Sequence, residues 1–427
     1  MKKAFSYLLI TACCCAKLSA QKNLQYFVEK AKENSPLIDD NLNQSRANGI
    51  EAERLRAFYT KPQIGLVASY MFSPILSNDQ GKTKFQPNVE NANHYYGYDL
   101  AYSNGGTYQA MATITKPLFN EKSYETAREQ LHVNSLASEN TAKLSAHDLE
   151  KIVGDQYILC IQDKMLQEYV DTVLNLLSQQ KEILQKLVQS GIYRQSDLTL
   201  LNIERKGFVA QQTAFKANYC RDLLDLNILC GIEDTNCIAL PHSDLTLSSP
   251  VDRSSFLEKY RLDSLNIAAQ RKMFELKYRP QVSLFGNAGL NAVYAPTILQ
   301  RFGLSAGISL TYNLFDGGQK DLNRNKLAVQ HKTVSLYKHN FLSQNAVRKN
   351  KILQELSTYV DRLREAEQQL NDYKTLLSVY KKEILSGQMS IVNYINTLKN
   401  MLALHRDYTL LFAQKQSLIN AYNYWNW

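Results

Sequence analysis

The histidines and cysteines of this 427-residue chain are the side chains best suited to catalysis or metal binding, and their spacing is typical of neither. Seven histidines are spread along the chain, at positions 94, 132, 147, 242, 331, 339 and 405. The sequence contains no HExxH motif, no Ser/His/Asp constellation and no glycine-rich phosphate loop. It therefore predicts a protein that is not an enzyme, has no catalytic residue and uses no metal or cofactor.

Four of the seven cysteines lie beyond the N-terminal segment, and their spacing matches no zinc or haem pattern. Cys160 lies in a helical stretch, and both Cys160 and Cys220 are interpreted as small core residues. Cys230 and Cys237 are close enough in sequence to form a disulfide across a turn. The sequence leaves open whether this pair is oxidised.

The N-terminus has the three parts of a secretory signal peptide over residues 1–20. Two lysines open it, an apolar stretch too short to span a bilayer follows, and small residues favour cleavage after Ala20. A second interpretation stays open, because residues 10–13 resemble a lipobox that would make Cys13 a lipidated N-terminus. Removing the three lysines of this segment lowers the formal net charge from +9 to +6, which does not indicate a nucleic-acid partner.

The remainder of the chain is interpreted as a tandem duplication of a unit near 200 residues. When Phe119 is aligned with Phe315, an offset of 196 residues, the Ser-Gly pair at 190–191 falls on the Ser-Gly pair at 386–387 without a gap. The predicted divisions are the signal peptide (1–20), a first repeat (21–233), a linker (234–254) and a second repeat (255–427).

Hydrophobic periodicity places the elements within each repeat, which begins with a helix. In the first repeat it predicts strands over about 62–72 and 108–118, a long helix over about 120–189 and a return helix over about 196–232. In the second it predicts strands over about 280–290 and 302–314, a long helix over about 317–386 and a return helix over about 391–425.

The four strands alternate between apolar and polar residues, as in Phe302 and Leu304 against Gly303 and Ser305. Each has about 8 to 12 residues, the length that crosses a bilayer when tilted. A half-buried sheet of a soluble domain is the alternative, but four short strands hardly cover an apolar face alone. A spanning sheet must close into at least eight strands. Two copies of this chain would supply eight strands, and three copies would supply twelve.

The long helices carry heptad patterns typical of coiled coils. In the second helix, spacings of four and three alternate along Ile352, Leu356, Tyr359, Leu363, Ala366, Leu370, Tyr373, Leu377, Tyr380 and Ile384. In the first helix, the pattern runs through Ile152, Leu159, Leu166 and Val173, with Val170, Leu177 and Leu184 between. About 70 helical residues extend roughly 105 Å, so such helices are expected to pack side by side. A soluble coiled coil of structural use is the alternative.

Several short motifs together resemble the TolC-like outer membrane efflux proteins. They are NSPLI at 34–38, PLFN at 117–120, NLFDGG at 313–318 and the two Ser-Gly turns. Each motif is unspecific alone, but both copies stand in the expected order with the expected element lengths. The resemblance covers about residues 22–427.

The resemblance implies a mixed α+β membrane protein. Each chain would give four strands to a trimeric, twelve-stranded transmembrane β-barrel, which a long α-helical coiled-coil barrel continues in the periplasm. The implied location is the outer membrane of a Gram-negative bacterium, in contact with its lipid. The implied partners are further copies of the chain, a periplasmic membrane-fusion adaptor and an inner-membrane pump of the RND or ABC type.

The implied function is a passive exit duct for efflux or for type I secretion, and the sequence does not choose between these. A periplasmic adaptor or helical scaffold without a pore is the alternative function. The four bilayer-length strands discriminate between the two, because an adaptor has no need of them.

The duplicated junctions are where a strand would become a descending helix. The junction residues are Pro117, Leu118, Phe119 and Asn120 in the first repeat and Leu314, Phe315, Asp316, Gly317 and Gly318 in the second. Asn120 and Asp316 are predicted to cap the long helices, and the two glycines to let the chain bend. These residues are expected to build the pore rather than to react.

The tips of the long helices are expected at the periplasmic mouth, at Ser190, Gly191, Ser386 and Gly387. The resemblance puts Asn393 and Asn396 where the family has a ring of acids, and neutral amides would hold cations far more weakly. Asp197 matches a gating acid, and its alternative role is a helix N-cap. The usual arginine partner of that acid falls on Met389, so Arg194 is considered as a substitute.

Residues 73–107 are polar, rich in Asn, Gly and Tyr, and lie between two predicted strands. They are predicted to form an enlarged extracellular loop. An ordinary surface loop is the simpler interpretation, and a segment that shapes the exit or binds an external partner is the other.

Overall fold

A computed structural model describes residues 22–88, 90–99 and 104–427 of the chain. The predicted signal peptide, its cleavage after Ala20 and the alternative lipidation of Cys13 lie outside these residues. The fold is mixed α/β and mostly helical. The chain divides into a sheet unit, residues 42–139 and 259–336, and a helical unit, the described residues up to 41 with 140–258 and 337–427.

The described helices are α1 (Leu24–Glu33), α2 (Pro36–Thr60), α3 (Glu121–Gln189), α4 (Gln195–Leu229), α5 (Leu257–Glu275), α6 (Gln319–Leu385) and α7 (Ile391–Trp425). The described strands are β1 (Gln63–Ser73), β2 (Ile75–Asp79), β3 (Lys82–Gln86), β4 (Tyr95–Tyr96), β5 (Gly105–Leu118), β6 (Gln281–Ala292) and β7 (Phe302–Thr311). None of these helices has an apolar stretch long enough to span a membrane.

The sheet unit contains a four-stranded antiparallel sheet in the order β1-β5-β6-β7. Because β5 pairs with β6, the two halves of the sequence share one sheet. The outermost strands are β1 and β7. Their apolar side chains are open to solvent in the single chain, and Leu66 and Leu304 are 81% and 79% exposed.

The ends of the strands follow their hydrogen-bonding partners rather than apolar alternation alone. β7 ends at Thr311, before the predicted residue 314. Thr311 pairs with Gln281 of β6. Pro280, which precedes Gln281, has no N–H to continue the hydrogen bonding between β6 and β7. β5 begins at Gly105, before the predicted residue 108, because Gly105 pairs with Ser73 at the end of β1.

The stretch predicted as a loop, residues 73–107, contains a second sheet in its described part, in the order β3-β2-β4. Gln80 and Gly81, at φ of 52° and 76°, form the two-residue turn between β2 and β3. Ile75 and Ser77 are buried on one face of this small sheet. The segment is therefore more ordered than the prediction of a loop indicates.

Glycines decide where several helices begin and end. α6 begins at Gln319 rather than at the predicted residue 317, because Gly317 and Gly318 have φ of 66° and 82°, outside the right-handed helical region. α4 ends at Leu229, before the predicted residue 232, and Gly231 turns the chain with φ of 62°.

The predicted heptad seam of α6 is buried in the helical unit. Its buried members are Ile352, Leu356, Leu363, Ala366, Leu370, Leu377 and Ile384, and its three tyrosines are half-buried. Most other positions of this part of α6 are exposed. One narrow apolar stripe is the pattern of a coiled-coil contact.

The predicted seam of α3 is partly wrong. Leu166 and Val173 are buried, whereas Ile152 and Leu159 are exposed. Over this stretch α3 packs through Val153 instead, in a core shared with α1 and α4. The buried stripe differs because α3 contacts more than one helix there, so a single seven-residue spacing does not describe it.

The disulfide differs from the predicted pairing of Cys230 with Cys237. Cys220 is bonded to Cys237, with Cα atoms 5.4 Å apart, so the interpretation of Cys220 as a core thiol is also wrong. Cys160 and Cys230 are free and buried. The chain folds back along α4 after Gly231, which brings residue 237 beside Cys220 rather than beside Cys230.

The predicted linker, residues 234–254, lies extended against the helical unit. Near its start, the Tyr157 hydroxyl donates to the Pro241 carbonyl at 2.7 Å. Further on, three side-chain amides in α7 and at the residue that follows it accept linker N–H groups. These amides (the amide ladder) are Gln416, Asn423 and Asn426. Their donors are Leu245, Ser248 and Val251, in that order.

Candidate functional sites at the helix tips and strand junctions

The two helix-tip turns have the same backbone geometry. Gly191 and Gly387 have φ of 73° and 74°, the left-handed conformation that favours glycine. In both turns the residue after the glycine donates its N–H back to the last turn of the long helix, from Ile192 to Leu187 and from Gln388 to Glu383. Ser190 and Ser386 precede these glycines and are exposed. The sequence placed both turns correctly at residues 190–191 and 386–387.

The start of α4 is closed by its own acid. The Asp197 carboxylate accepts the N–H of Arg194 at 3.1 Å, and the Asp197 N–H donates to the Arg194 carbonyl at 3.1 Å. An acid in the first turn also complements the positive end of the helix dipole. Of the two roles that the sequence left open for Asp197, this contact is that of a cap. A role in gating, and the substitution of Arg194 for a missing arginine, stay predictions.

The start of α7 is closed differently. Ser390 lies immediately before the helix, and its hydroxyl accepts the N–H of Val392 at 3.3 Å. Asn393 and Asn396 follow on the same side of α7, one helical turn apart, and both are exposed. The end of α7 at the tip is therefore polar and uncharged at the two positions that the resemblance assigned to acids.

The two tips contact each other within one chain. The Tyr193 hydroxyl donates to the Met389 carbonyl at 2.5 Å. A Cβ on Gly387 would lie 2.9 Å from Cγ2 of Ile192, so the two turns are in close contact. Burial and the charge of Asp197 raise the pKa of Tyr193, which keeps its hydroxyl protonated and able to donate.

Sequence reasoning missed Tyr193. Tyr193 and Met389 are separated by 196 residues, the offset of the predicted duplication, so they are equivalent positions of its two copies. Further along the return helices, Lys399 of α7 and Glu204 of α4 form an ion pair at 2.7 Å. Two polar links therefore join the first pair of helices to the second near the tips.

The second strand-to-helix junction is closed by Asp316. Its carboxylate accepts the N–H of Gly318 at 2.9 Å and that of Lys320 at 2.8 Å, as an N-cap does. A hydrogen bond from the Tyr278 hydroxyl lowers the pKa of Asp316, and the same bond raises the pKa of Tyr278 to about 12. The carboxylate is thus ionised and the phenol neutral at physiological pH.

The first strand-to-helix junction also satisfies the first N–H groups of its helix, but with different residues. Pro117 and Leu118 end β5 by pairing with β6, and Asn120 accepts the N–H groups of Ser123 and Tyr124 through its backbone carbonyl. Phe119 adopts φ of 59°, a left-handed conformation that costs a non-glycine residue about 1–2 kcal/mol. No glycine stands there, whereas the second junction uses two.

Large apolar side chains are exposed at both junctions. Phe119, Leu314 and Phe315 are each more than four-fifths exposed in the single chain. Aromatic side chains at the ends of strands are typical of the boundary between membrane and water.

A pair of buried carboxyl groups joins α3 to α4 in the helical unit. Asp163 and Asp222 are 6% and 3% exposed, and one oxygen of Asp163 is buried without a hydrogen-bond partner. Arg221 contacts the Asp222 carboxylate at 2.8 Å. Burial, and then the hydrogen bond with Asp222, raise the pKa of Asp163 to about 7. In the part of the chain that the structure describes, no three His, Cys, Asp or Glu side chains are arranged to hold a metal ion.

Comparison with solved structures finds the same fold over almost the whole chain. The outer membrane protein VceC of Vibrio cholerae is 15% identical with a TM-score of 0.66, over 94% of this chain and 95% of that one. The CmeC outer membrane channel of Campylobacter jejuni is 13% identical with a TM-score of 0.65, over 95% and 86%. A membrane protein of Pseudomonas aeruginosa is 14% identical with a TM-score of 0.68, over 94% and 90%.

Sequence comparison alone finds no such likeness, since neither a protein-family model nor a curated protein matches the chain. The structural likeness confirms, at the level of the fold, the resemblance that the short motifs indicated.

Proposed function

We propose that this chain, which has the fold of the TolC-like outer membrane channels, is the outer membrane duct of an export machine. The observation that supports this most strongly is the extent of the likeness. It covers 94% to 95% of the chain, so both the strands and the long helices are included.

The duct would be a homotrimer. The four-stranded sheet ends in β1 and β7, and its outer side chains are apolar and exposed. Unsatisfied strand edges and apolar side chains both favour association. Four strands are too few for a membrane-spanning barrel, whereas three copies would supply twelve, an even number within the known range. Exposed Phe119 and Phe315 would then lie at the membrane boundary.

The long helices would line a tunnel in the periplasm. α3 and α6 have 69 and 67 residues, and α4 and α7 have 35 each, which supports an origin by tandem duplication. α6 buries a single stripe over residues 352–384. Helices of neighbouring copies would cover part of the α6 surface outside this stripe, which is exposed in the single chain.

The proposed location is the outer membrane of a Gram-negative bacterium, reached after cleavage of the predicted signal peptide. The partners would be a periplasmic membrane-fusion adaptor and an inner-membrane pump of the RND or ABC type. The chain would conduct passively and perform no chemistry, because the energy and the choice of cargo belong to the pump. Both efflux and type I secretion fit this role.

The helix tips would form the periplasmic mouth. Asn393 and Asn396 would give it a ring of neutral amides, which attracts cations far less than a ring of carboxylates. Asp197 would add a negative charge near the mouth, while its carboxylate accepts the N–H of Arg194 at the start of α4.

The alternative is a periplasmic adaptor without a pore. Exposed apolar side chains on strands of 10 to 14 residues weigh against it, because a protein that stays in water gains nothing from such a surface. Fractionation separates the two functions, since a barrel protein resists salt and alkaline washing of the membrane and an adaptor is released.

Single-channel conductance of the purified mature protein in planar bilayers tests the proposal. We expect discrete openings of low conductance, because the tips are linked within each chain. A protein that does not insert, and is released by alkaline washing, would support the adaptor instead. A protein that inserts but never conducts would contradict an open route through the tips.

A further inference from the structure

The small sheet between β1 and β5 carries an exposed apolar surface that the proposed duct does not explain. Leu76 of β2 stands directly opposite Phe85 of β3 and Tyr96 of β4. Residues opposite each other in antiparallel strands share one face of the sheet. These three residues, here named the aromatic row, are 44%, 67% and 70% exposed.

The opposite face of the same sheet is already used. Ile75 and Ser77 are 2% and 3% exposed, and a Cβ on Gly97 would lie 2.6 Å from Ile75. One face of the small sheet is therefore buried against other residues of the segment between β1 and β5. The aromatic row is the face that remains open in the single chain.

The aromatic row follows an edge strand. β1 ends at Ser73, which pairs with Gly105, and Leu76 comes only three residues later. β1 is the outermost strand on its side of the four-stranded sheet. The row is thus continuous along the chain with the edge that a second copy would use.

The other edge strand is preceded by a second exposed apolar segment. Residues 293–301, the β6–β7 loop, include Tyr294 and Leu299, which are 53% and 82% exposed. The pairs Tyr108 with Ala292 and Leu290 with Phe302 place this loop at the end of the sheet where β1 finishes.

The two apolar segments do not belong side by side in one chain. β1 and β7 are separated by β5 and β6, so three strand spacings of about 4.8 Å, or roughly 14 Å, lie between their axes. When β7 of one copy pairs with β1 of the next, that separation falls to a single spacing. The β6–β7 loop of one copy then meets the small sheet of its neighbour.

We infer that the aromatic row docks on the β6–β7 loop of a second copy of this chain, at the end of the sheet opposite the strand-to-helix junctions. The inference rests on the proposed trimer and adds a specific contact to it. Such a contact removes apolar side chains of both copies from water and fixes the small sheet at the outer opening.

Cysteine cross-linking of the full chain in lipid tests the contact. The paired variant Phe85→Cys with Leu299→Cys should give covalent dimers and trimers under mild oxidation, and each single variant should not. Lys84→Cys with Leu299→Cys is the matched control, because Lys84 is exposed but lies on the opposite face of β3. The native thiols Cys160 and Cys230 are buried and are common to every variant.

A second measurement follows the stability of the oligomer. Phe85→Ser with Tyr96→Ser should lower the temperature at which trimers dissociate, and Lys84→Ser should not. The mass of each variant in detergent, measured without cross-linking, reports the trimer independently.

The outcomes separate this inference from the proposed function. Trimers that link through residues 85 and 299, and not through 84 and 299, support the contact. Two results together would overturn the contact and leave the proposed duct unaffected. The trimers would cross-link equally through both cysteine pairs or through neither, and the double serine variant would not change the temperature at which they dissociate. Monomers alone in lipid would overturn both.

Discussion

The turn between α3 and α4 and the turn between α6 and α7 share a glycine conformation and a hydrogen bond but differ in their side chains. Both use a glycine in the left-handed conformation and the same return hydrogen bond. The first turn is followed by charged residues, Arg194 and Asp197, whereas Ser390, Asn393 and Asn396 follow the second. One glycine therefore sets the backbone turn of each tip, and the side chains around it can vary the charge of the tip.

The two pairs of long and return helices also differ deeper in the helical unit. Asp163 and Asp222 form a buried acid pair between α3 and α4, and the offset of 196 residues of the predicted duplication puts Tyr359 and Leu418 at the corresponding positions of α6 and α7. The first helix pair therefore carries a titratable contact that the second lacks. Four experiments test whether the two helix pairs differ in stability and in opening.

Replacing Asp163 with Asn should remove the part of the pH dependence of stability that comes from the buried acid pair. The pKa of Asp163 is raised from 3.8 in the unfolded chain to about 7 in the folded one. The stabilising proton is therefore fully present below pH 3.8 and is lost as the pH rises through about 7. Across that window the free energy of unfolding should fall by about 1.4 kcal/mol per pH unit.

The measurement is the thermal midpoint of helix unfolding from pH 4 to pH 8, in detergent, for the natural chain and for Asp163→Asn. Asp171→Asn, on the same helix, is the control. Equal slopes for the natural chain and Asp163→Asn would exclude the acid pair as the source.

Replacing the tip glycines with alanine should separate their backbone roles from their contacts. Both substitutions place a side chain at positive φ, at a cost of about 1–2 kcal/mol. Gly387→Ala should cost about 1 kcal/mol more, because its Cβ would lie 2.9 Å from Ile192, whereas a Cβ on Gly191 meets nothing within 4 Å.

Chemical denaturation of the two variants measures this difference. Ile192→Ala combined with Gly387→Ala should remove the extra loss of stability. Combined with Gly191→Ala, it should leave the loss of stability caused by Gly191→Ala unchanged. Identical denaturation midpoints for the two glycine variants would mean that Gly387 and Ile192 are not in close contact.

Tyr193→Phe should loosen the link between the two tips. It removes the hydrogen bond to the Met389 carbonyl, a loss of about 1 kcal/mol, and leaves that carbonyl without its donor. We expect more frequent openings in planar bilayers, with a small loss of thermal stability. Tyr337→Phe, at an exposed position of α6, is the control. Unchanged opening frequency in Tyr193→Phe would show that this bond does not restrain the mouth.

The double variant Asn393→Asp, Asn396→Asp should change selectivity and hardly affect stability. Both side chains are exposed, so the added charges remain solvated. A ring of carboxylates should raise the preference of the duct for cations, read from the reversal potential in a salt gradient. Asn340→Asp with Asn371→Asp adds the same charge on exposed positions farther from the tip. An equal shift in both double variants would remove Asn393 and Asn396 from the mouth.

Helix and strand positions could be predicted from the sequence because their signals are local. Glycines at 191, 317, 318 and 387 mark helix ends through backbone freedom, and apolar alternation marks the strands. The seam of α6 was predictable because one face of that helix is buried. The seam of α3 was not, because several helices cover it.

The errors concern contacts between residues that are distant in the chain. The pairing of Cys220 with Cys237 depends on how the linker folds back, and the small sheet depends on short strands whose partners lie across polar turns. From its position, the carboxylate of Asp197 could be assigned to a gate or to a cap, and only the structure shows its contact with the N–H of Arg194 at the start of α4.

The amide ladder binds the linker mainly through its backbone N–H and carbonyl groups, and the one linker side chain that it contacts is the Ser248 hydroxyl, which accepts from the Asn426 amide at 2.9 Å. Apart from Ser248, the ladder thus selects no particular linker side chain. Most substitutions between residues 245 and 251 should be silent, except for loss of the Ser248 hydroxyl and for proline at the three donor positions. Insertions or deletions behave otherwise, because removing one residue would shift every later donor away from its amide. Over evolutionary time, this segment is expected to drift freely in composition while its length stays fixed.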